Sequence, residues 1–221
     1  MEILTLFTTA FFVGFTGAAM PGPMLSVTLD RTARFGWIAG PLVVLGHGTL
    51  ELILVIAIAF GFTQILTAPV FTGLVGILGG AFLVWMGIGV VRDAGQVALP
   101  GETSNDAVIK TTPAGKGRLS SIGYGITTSL SNPYWFLWWG TVGAGYVSLA
   151  LNSHGIAGLA AFFSGHILAD FTWFTAVSLG LARGGRHFSP RVFAGLLRVL
   201  GIFLILFSFY FIISGFKMLP I

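Results

Sequence analysis

Residues 40–62 read GPLVVLGHGTLELILVIAIAFGF, and within this apolar stretch only His47 and Glu51 can carry a charge. About 20 consecutive, mostly apolar residues are enough for an α-helix to cross the hydrocarbon core of a bilayer. The stretch therefore predicts a membrane-spanning helix that holds two ionisable side chains near its middle.

The rest of the chain has the same character. Its 221 residues are 55% hydrophobic and only 8% charged, with a mean hydropathy of +0.94. A soluble domain carries about 25% charged residues, and a single core of this size does not cover so much apolar surface. In lipid, only helices and closed barrels satisfy the backbone polar groups. Because the apolar stretches are long and continuous, unlike the alternating strands of a barrel, we predict an all-α membrane protein.

Six membrane spans are predicted, at residues 3–28, 36–62, 68–91, 121–150, 156–182 and 194–218. Nearly all Lys and Arg residues lie in the first, third and fifth connections, and connections rich in these residues stay on the cytoplasmic side. We therefore expect a multi-pass protein of the cell (inner) membrane with both termini outside. The basic residues are scattered singly between the spans, which argues against nucleic-acid binding.

The two halves of the chain repeat three motifs in the same order. The matched pairs are Gly46-His47-x-x-x-Glu51 with Gly165-His166-x-x-x-Asp170, Pro21-Gly22-Pro23 with Ser131-Asn132-Pro133, and Gly73-Leu74-x-x-Ile77-Leu78-Gly79 with Gly195-Leu196-x-x-Val199-Leu200-Gly201. Because a unit of three spans crosses the membrane an odd number of times, its second copy starts on the opposite side and is inverted. We predict a 3+3 inverted-topology repeat, with repeats at 1–91 and 121–221 joined by a flexible cytoplasmic loop at 92–120. Many secondary transporters share this plan.

Two helices are predicted to break inside the membrane, at Pro21, Gly22 and Pro23 and at Asn132 and Pro133. Proline removes a backbone donor and clashes with the carbonyl four residues earlier. The half-helix that follows such a break presents its positive end, which suits a substrate carboxylate. The alternative is a packing kink without a binding role.

The strongest candidate site is formed by two histidine–acid couples, His47 with Glu51 and His166 with Asp170. A spacing of four residues places both members of a couple on one helix face. A charge at the bilayer centre costs about 2.5–3.5 kcal/mol, so it usually serves a function. The couples suit a proton or a substrate ammonium. The alternatives are neutral pairs that join helices, and a divalent metal site that uses all four side chains.

Aromatic residues cluster at 134–139, and Trp173 follows Asp170 by three positions. Tryptophan is typical of the membrane interface. The cluster lies deeper than an interfacial belt, so Trp135 and Trp173 are candidates for lining a substrate path.

The sequence contains no nucleotide-binding loop, no zinc-protease motif and no nucleophile elbow. We therefore expect no cofactor and no enzyme activity, and transport driven by ion or solute gradients. A membrane-embedded enzyme or assembly factor is the less favoured alternative.

The chain resembles the LysE-type translocators of the lysine exporter superfamily, which includes the RhtB-type homoserine/threonine exporters. The resemblance is carried by Pro21-Gly22-Pro23, Arg34-Phe35-Gly36-Trp37, Ser131-Asn132-Pro133, Asp170-Phe171-Thr172-Trp173-Phe174 and Arg198-x-x-Gly201. It implies a six-helix inner-membrane protein, often a homodimer, that exports amino acids against protons. His47 and Glu51 are not what the homoserine/threonine exporters lead us to expect in helix 2.

The predicted function is therefore export of small amino acids or related zwitterions by proton antiport. The alternative that stays open is a divalent-cation exporter that uses His47, Glu51, His166 and Asp170.

Overall fold

A computed structural model describes residues 2–20, 22–95, 114–185 and 189–219. Over these ranges the chain is helical and contains no β-strand. The helices described are α1 (Ile3–Ala18), α2 (Pro23–Phe35), α3 (Ala39–Ala59), α4 (Thr63–Leu66), α5 (Pro69–Asp93), α6 (Ala114–Leu130), α7 (Pro133–Trp138), a π-helical turn (Trp139–Gly143), α8 (Ala144–Gly184) and α9 (Pro190–Met218).

The first predicted span is broken into two helices, α1 and α2, whose axes are bent by 75°. Pro23 begins α2, because its fixed φ suits the first helical position and its missing N–H is not needed there. The predicted end of the span at residue 28 is wrong. The segment 30–34, predicted to be a loop, belongs to α2, where Asp30 pairs with Arg34 one turn later at 2.7 Å. The helix ends only where Gly36 takes a φ of 82°.

Arg31 points inward from α2 and joins this helix to α6. Its guanidinium donates hydrogen bonds to the Gly117 carbonyl, to Ser120 Oγ at 2.5 Å and to Ser121 Oγ at 3.3 Å. The same group lies 4.2 Å from the ring centre of Phe35 and 4.5 Å from that of Tyr124. Arg31 is therefore buried between two rings and contacts no carboxylate among the residues that the structure describes.

The second break falls where Asn132 and Pro133 predict it, between α6 and α7. The Asn132 side chain caps α7 by accepting a hydrogen bond from Tyr134 N at 3.1 Å. Helix α6 begins at Ala114, so residues 114–120 of the predicted flexible loop are helical. The remainder of that loop, residues 96–113, lies outside the described residues.

The chain reverses direction at Gly155, inside α8. This glycine has φ 56° and ψ −138°, a conformation that other residues rarely adopt. As a result the two limbs of α8 lie against each other, with the rings of Tyr146 and Phe162 stacked at 5.3 Å. The predicted turn near residue 152 is thus a single-residue reversal.

Among the residues that the structure describes, four helices are long and apolar enough to cross a membrane, or five segments if α1 and α2 together count as one bent span. The four are Ala39–Ala59, Pro69–Arg92, Pro133–Gly184 and Pro190–Met218. By length and composition the count therefore falls below the six spans predicted. The difference arises because α1 and α2 are each short, and because residues 133–184 count as one helix although they reverse at Gly155.

Glycines bring the helices into close contact. A Cβ on Gly46 of α3 would lie 2.0 Å from the Ile122 carbonyl oxygen of α6, and one on Gly165 of α8 would lie 2.3 Å from that of Phe7 in α1. Helices α5 and α9 pack along each other in the same way, because Gly73 and Gly215 face one another. Small residues at helix crossings are typical of membrane bundles.

Candidate functional site

The structure brings the four predicted ionisable side chains together between α3 and α8. His47 Nε2 lies 3.0 Å from Glu51 Oε1, and His166 Nε2 lies 3.3 Å from Glu51 Oε2. Asp170 Oδ2 is 3.7 Å from Nε2 of both histidines. All four side chains are buried. We call His47, Glu51, His166 and Asp170 the tetrad.

Helix spacing and small residues place the tetrad. In each couple the histidine and the acid are four residues apart, so both point toward the opposite helix. Gly14 of α1 makes room for His166, because a Cβ at that position would lie 2.8 Å from His166 Nδ1. Gly48 makes room in the same way for Ile167, with 2.4 Å from its Cβ position to Ile167 Cδ1.

Glu51 is held by the protein through one of its two carboxylate oxygens. Its Oε1 accepts from the indole N–H of Trp135 at 3.1 Å and of Trp139 at 2.9 Å, and lies in contact with His47 Nε2. The other ring nitrogen of His47 lies 2.6 Å from Ser129 Oγ. The first couple is therefore held by the protein through Glu51 Oε1 and His47 Nδ1, and Glu51 is only 1% exposed.

The second couple is different, because its polar atoms lack hydrogen bonds. Asp170 Oδ2 and both ring nitrogens of His166 are buried without a hydrogen-bond partner, as is Glu51 Oε2. Buried polar groups in native structures are nearly always paired, and an unpaired one costs about 1–3 kcal/mol. This half of the tetrad is thus able to take up a proton or a ligand.

The tetrad lines a cavity with an empty volume of about 750 Å³, including the part that is open to the outside. Both helix breaks border this cavity, through Gly22, Pro23 and Met24 on one side and Asn132 and Tyr134 on the other. The wall is mainly apolar, and its aromatic members besides Tyr134 are Trp135, Trp138, Trp139, Phe174, Phe203 and Phe207.

The remaining predicted site residues lie elsewhere. Pro133 is buried at the start of α7, where its ring lies 3.3 Å from the position of a Cβ on Gly79. Trp173 packs edge-on against Phe15 at 5.6 Å and does not line this cavity. Pro21 lies outside the described residues.

Several residues of the site were not predicted. Trp139 follows Trp135 by four positions, so the sequence contained a sign that two indoles share a face. Ser129 carries no such sign, because its contact with His47 depends on how α6 packs against α3. Phe203 and Phe207 reach the cavity from α9, which the sequence identifies only as an apolar span.

The alternative ligand for the tetrad is a divalent metal ion. His47, Glu51 and Asp170 offer ligand atoms within 4.8 Å of one another, and imidazole and carboxylate are suitable ligands for several divalent ions. However, Glu51 already accepts two indole hydrogen bonds. Both indoles donate to Oε1, which disfavours a metal at that oxygen.

Comparisons with known proteins agree with the geometry. The sequence profile of the LysE type translocator family matches residues 15–215, which confirms the resemblance. The "Putative amino acid efflux protein YcgF" of Bacillus subtilis is 23% identical over 220 residues, covering 98% of this chain and 99% of that protein. The "Chemotactic transduction protein ChpE" of Pseudomonas aeruginosa is 27% identical over 177 residues, covering 77% and 79%. No solved structure gives a significant match.

These findings do not favour the divalent-metal alternative, since neither relative is named for metal transport. They also agree with the expectation that the protein is not an enzyme, because the family consists of translocators. With a match across nearly its whole length, this integral membrane protein belongs to the family of LysE type translocators.

Proposed function

We propose that this protein exports small amino acids or related zwitterions across the inner membrane in exchange for protons. The observation that carries the proposal is the tetrad, a group of two imidazoles and two carboxylates in a cavity between two broken helices. The name of the Bacillus subtilis relative, which refers to amino acid efflux, supports the same substrate class.

The proposed coupling uses a single buried carboxylate for two cations. Asp170 Oδ2 has no hydrogen-bond donor and lies 3.7 Å from the two imidazoles, and a buried charge without hydrogen bonds is costly. A proton or a substrate ammonium removes that cost, and both cannot be held there at once. Release of one therefore accompanies uptake of the other, which is what an antiporter requires.

We further propose that the chain has six spans arranged as a 3+3 inverted repeat. In this arrangement α1 with α2 forms the first span, and Gly155 divides residues 133–184 into two limbs. The helix contacts support this arrangement. In the repeat α1 corresponds to α6 and α3 corresponds to the second limb of α8, and the structure packs α1 against α8 just as it packs α6 against α3. The third spans of the two halves, α5 and α9, pack against each other, as a twofold relation between the halves requires. A homodimer stays an expectation from the family resemblance.

The test is amino acid counterflow into liposomes that contain the purified protein. We expect a preloaded, unlabelled amino acid to drive uptake of the labelled one, and an imposed pH gradient to drive net movement. Asp170→Asn is expected to reduce both at least tenfold. Asp30→Asn is the matched acid-to-amide control on the exposed face of α2, where the pair with Arg34 has little energetic value.

A folded, monodisperse protein that moves no amino acid across a full panel would refute amino acid export. Counterflow that persists without any response to a pH gradient would refute proton antiport alone.

A further inference from the structure

Building on the proposed function, we infer that the cavity binds amino acids with uncharged, apolar side chains, in one orientation. Asp170 holds the ammonium, the N-terminus of α2 holds the carboxylate, and the aromatic wall holds the side chain. The first two assignments come from differences between the two halves of the site, and the third comes from the apolar wall of the cavity.

The ammonium belongs at Asp170 and not at Glu51. Glu51 Oε1 already receives two indole N–H groups and contacts His47 Nε2. Asp170 Oδ2 receives no hydrogen bond, although the residue is 96% buried and lines the cavity. Glu51 Oε2 also lacks a hydrogen bond, but it lies 3.3 Å from His166 Nε2, whereas Asp170 Oδ2 is 3.7 Å from both imidazoles. An ammonium has three donors and no acceptor, so it binds at Asp170, the acid that the protein holds less closely.

The carboxylate belongs at the start of α2 and not at the start of α7. The first turn of α7 is already capped by Asn132, which accepts from Tyr134 N. No side chain caps α2, a helix of 13 residues whose first residues line the same cavity. A helix N-terminus carries a partial positive charge and attracts anions. The unpaired Asp170 in this cavity is the independent sign that a ligand completes the site.

The substrate side chain faces an apolar wall. Trp138, Phe203 and Phe207 line the cavity, and among its described lining residues Glu51 and Asp170 are the only acids. Asp170 is engaged by the α-ammonium, and Glu51 lies against two indole N–H groups and both imidazoles, so a lysine side chain finds no free counter-charge. A buried charge without a partner is strongly disfavoured, whereas an apolar side chain gains by leaving water. Leucine is the simplest probe of this class.

The first experiment measures binding to the purified wild-type protein with three ligands of one carbon skeleton. These are leucine, 3-methylbutylamine, which lacks the carboxylate, and 4-methylpentanoate, which lacks the ammonium. Loss of a hydrogen bond to a charged group costs roughly a factor of 10 to 100 in affinity. We expect each truncated ligand to bind at least tenfold more weakly than leucine. Lysine and homoserine, whose side chains are charged or polar, are also expected to bind at least tenfold more weakly than leucine.

The second experiment supplies the carboxylate from the protein. Gly22 is the N-cap of α2 in extended conformation, and a Cβ added to it would lie 3.8 Å from the Met20 carbonyl oxygen, an ordinary contact, so Gly22→Asp fits. Aspartate is among the best N-cap residues. In Gly22→Asp we expect leucine to bind at least tenfold more weakly and 3-methylbutylamine at least tenfold more tightly. Ala68→Asp places the same side chain at the uncapped start of α5, outside the cavity, and is expected to leave both affinities unchanged.

A third variant keeps the test decisive if Gly22→Asp does not fold. In Asp170→Asn the preference for leucine over 4-methylpentanoate is expected to fall at least tenfold, because the ammonium no longer finds a carboxylate. An unchanged preference in Asp170→Asn, or unchanged leucine affinity in folded Gly22→Asp, overturns the assigned orientation.

The inference and the proposed function fail differently. If lysine or homoserine is bound and exchanged better than leucine, the inferred substrate class is wrong while amino acid export stands. If no amino acid is bound or exchanged, the proposed function itself is wrong.

Discussion

At the scale of single residues, the two carboxylates of the tetrad differ in the hydrogen bonds that they accept, and we therefore assign them different roles. Glu51 Oε1 accepts from two indole N–H groups and lies 3.0 Å from His47 Nε2, whereas Asp170 Oδ2 lies 3.7 Å from Nε2 of both histidines. Glu51 is thus the structural member, which holds α3 to the π-helical turn, and Asp170 is the member that is available to a ligand.

Trp139→Phe tests the structural role of Glu51. The substitution keeps an aromatic ring in a fully buried position but removes the N–H that donates to Oε1 at 2.9 Å. Hydrogen bonds to charged groups contribute about 1.5–3 kcal/mol. We expect a fall in the free energy of unfolding within that range, measured as a lower midpoint of thermal unfolding in detergent. Trp85→Phe, at a position 69% exposed, is the control that should leave the midpoint unchanged.

Gly14→Ala tests the space around His166. The added methyl group would lie 2.8 Å from His166 Nδ1 and 3.3 Å from the His166 carbonyl oxygen. Either the imidazole or the contact between α1 and α8 has to shift, so we expect counterflow to fall at least tenfold. Gly180→Ala adds the same methyl group to α8 where no atom lies within 4 Å, and its transport rate should equal that of the wild type. Equal rates in both variants would show that the position of His166 does not matter.

At the scale of helices, the features that depend on neighbouring residues in the sequence could be predicted. The i, i+4 couples and the prolines were sufficient to place the ionisable groups on common faces and to place the break at Asn132. The sequence did not show that α2 continues through 30–34, because charged residues at the membrane edge resemble a loop. The π-helical turn, the reversal at Gly155 and the contact of Ser129 with His47 depend on packing between distant segments.

The junction of α2 with α6 depends on Arg31. Lysine at this position keeps the charge, but it cannot form the planar fork that reaches Gly117, Ser120 and Ser121 and lies between two rings. We expect Arg31→Lys to lower the unfolding midpoint clearly, by an amount equivalent to about 1–3 kcal/mol. Arg34→Lys alters an exposed pair worth about 0.5 kcal/mol and is the matched control. Equal shifts in the two variants would contradict the role assigned to Arg31.

At the scale of the whole molecule, the proposed repeat and the distribution of Lys and Arg together predict which ends of the helices face the cytoplasm. Gly95 follows α5 on the side that carries the basic residues, and Ser153 precedes the reversal at Gly155. One crossing of the proposed arrangement, made of α6, α7 and the first limb of α8, separates these two positions. They should therefore lie on opposite sides of the membrane.

The natural absence of cysteine makes this topology directly measurable, since any single introduced thiol is the only one in the chain. Both positions are exposed, so Gly95→Cys and Ser153→Cys are accessible to reagents. In intact cells, a maleimide that does not cross membranes is expected to label Ser153→Cys and to spare Gly95→Cys. After permeabilisation it should label both, which serves as the control for reactivity. Labelling of both thiols in intact cells would place residues 95 and 153 on one side, and no inverted pair of three-span units is compatible with that result.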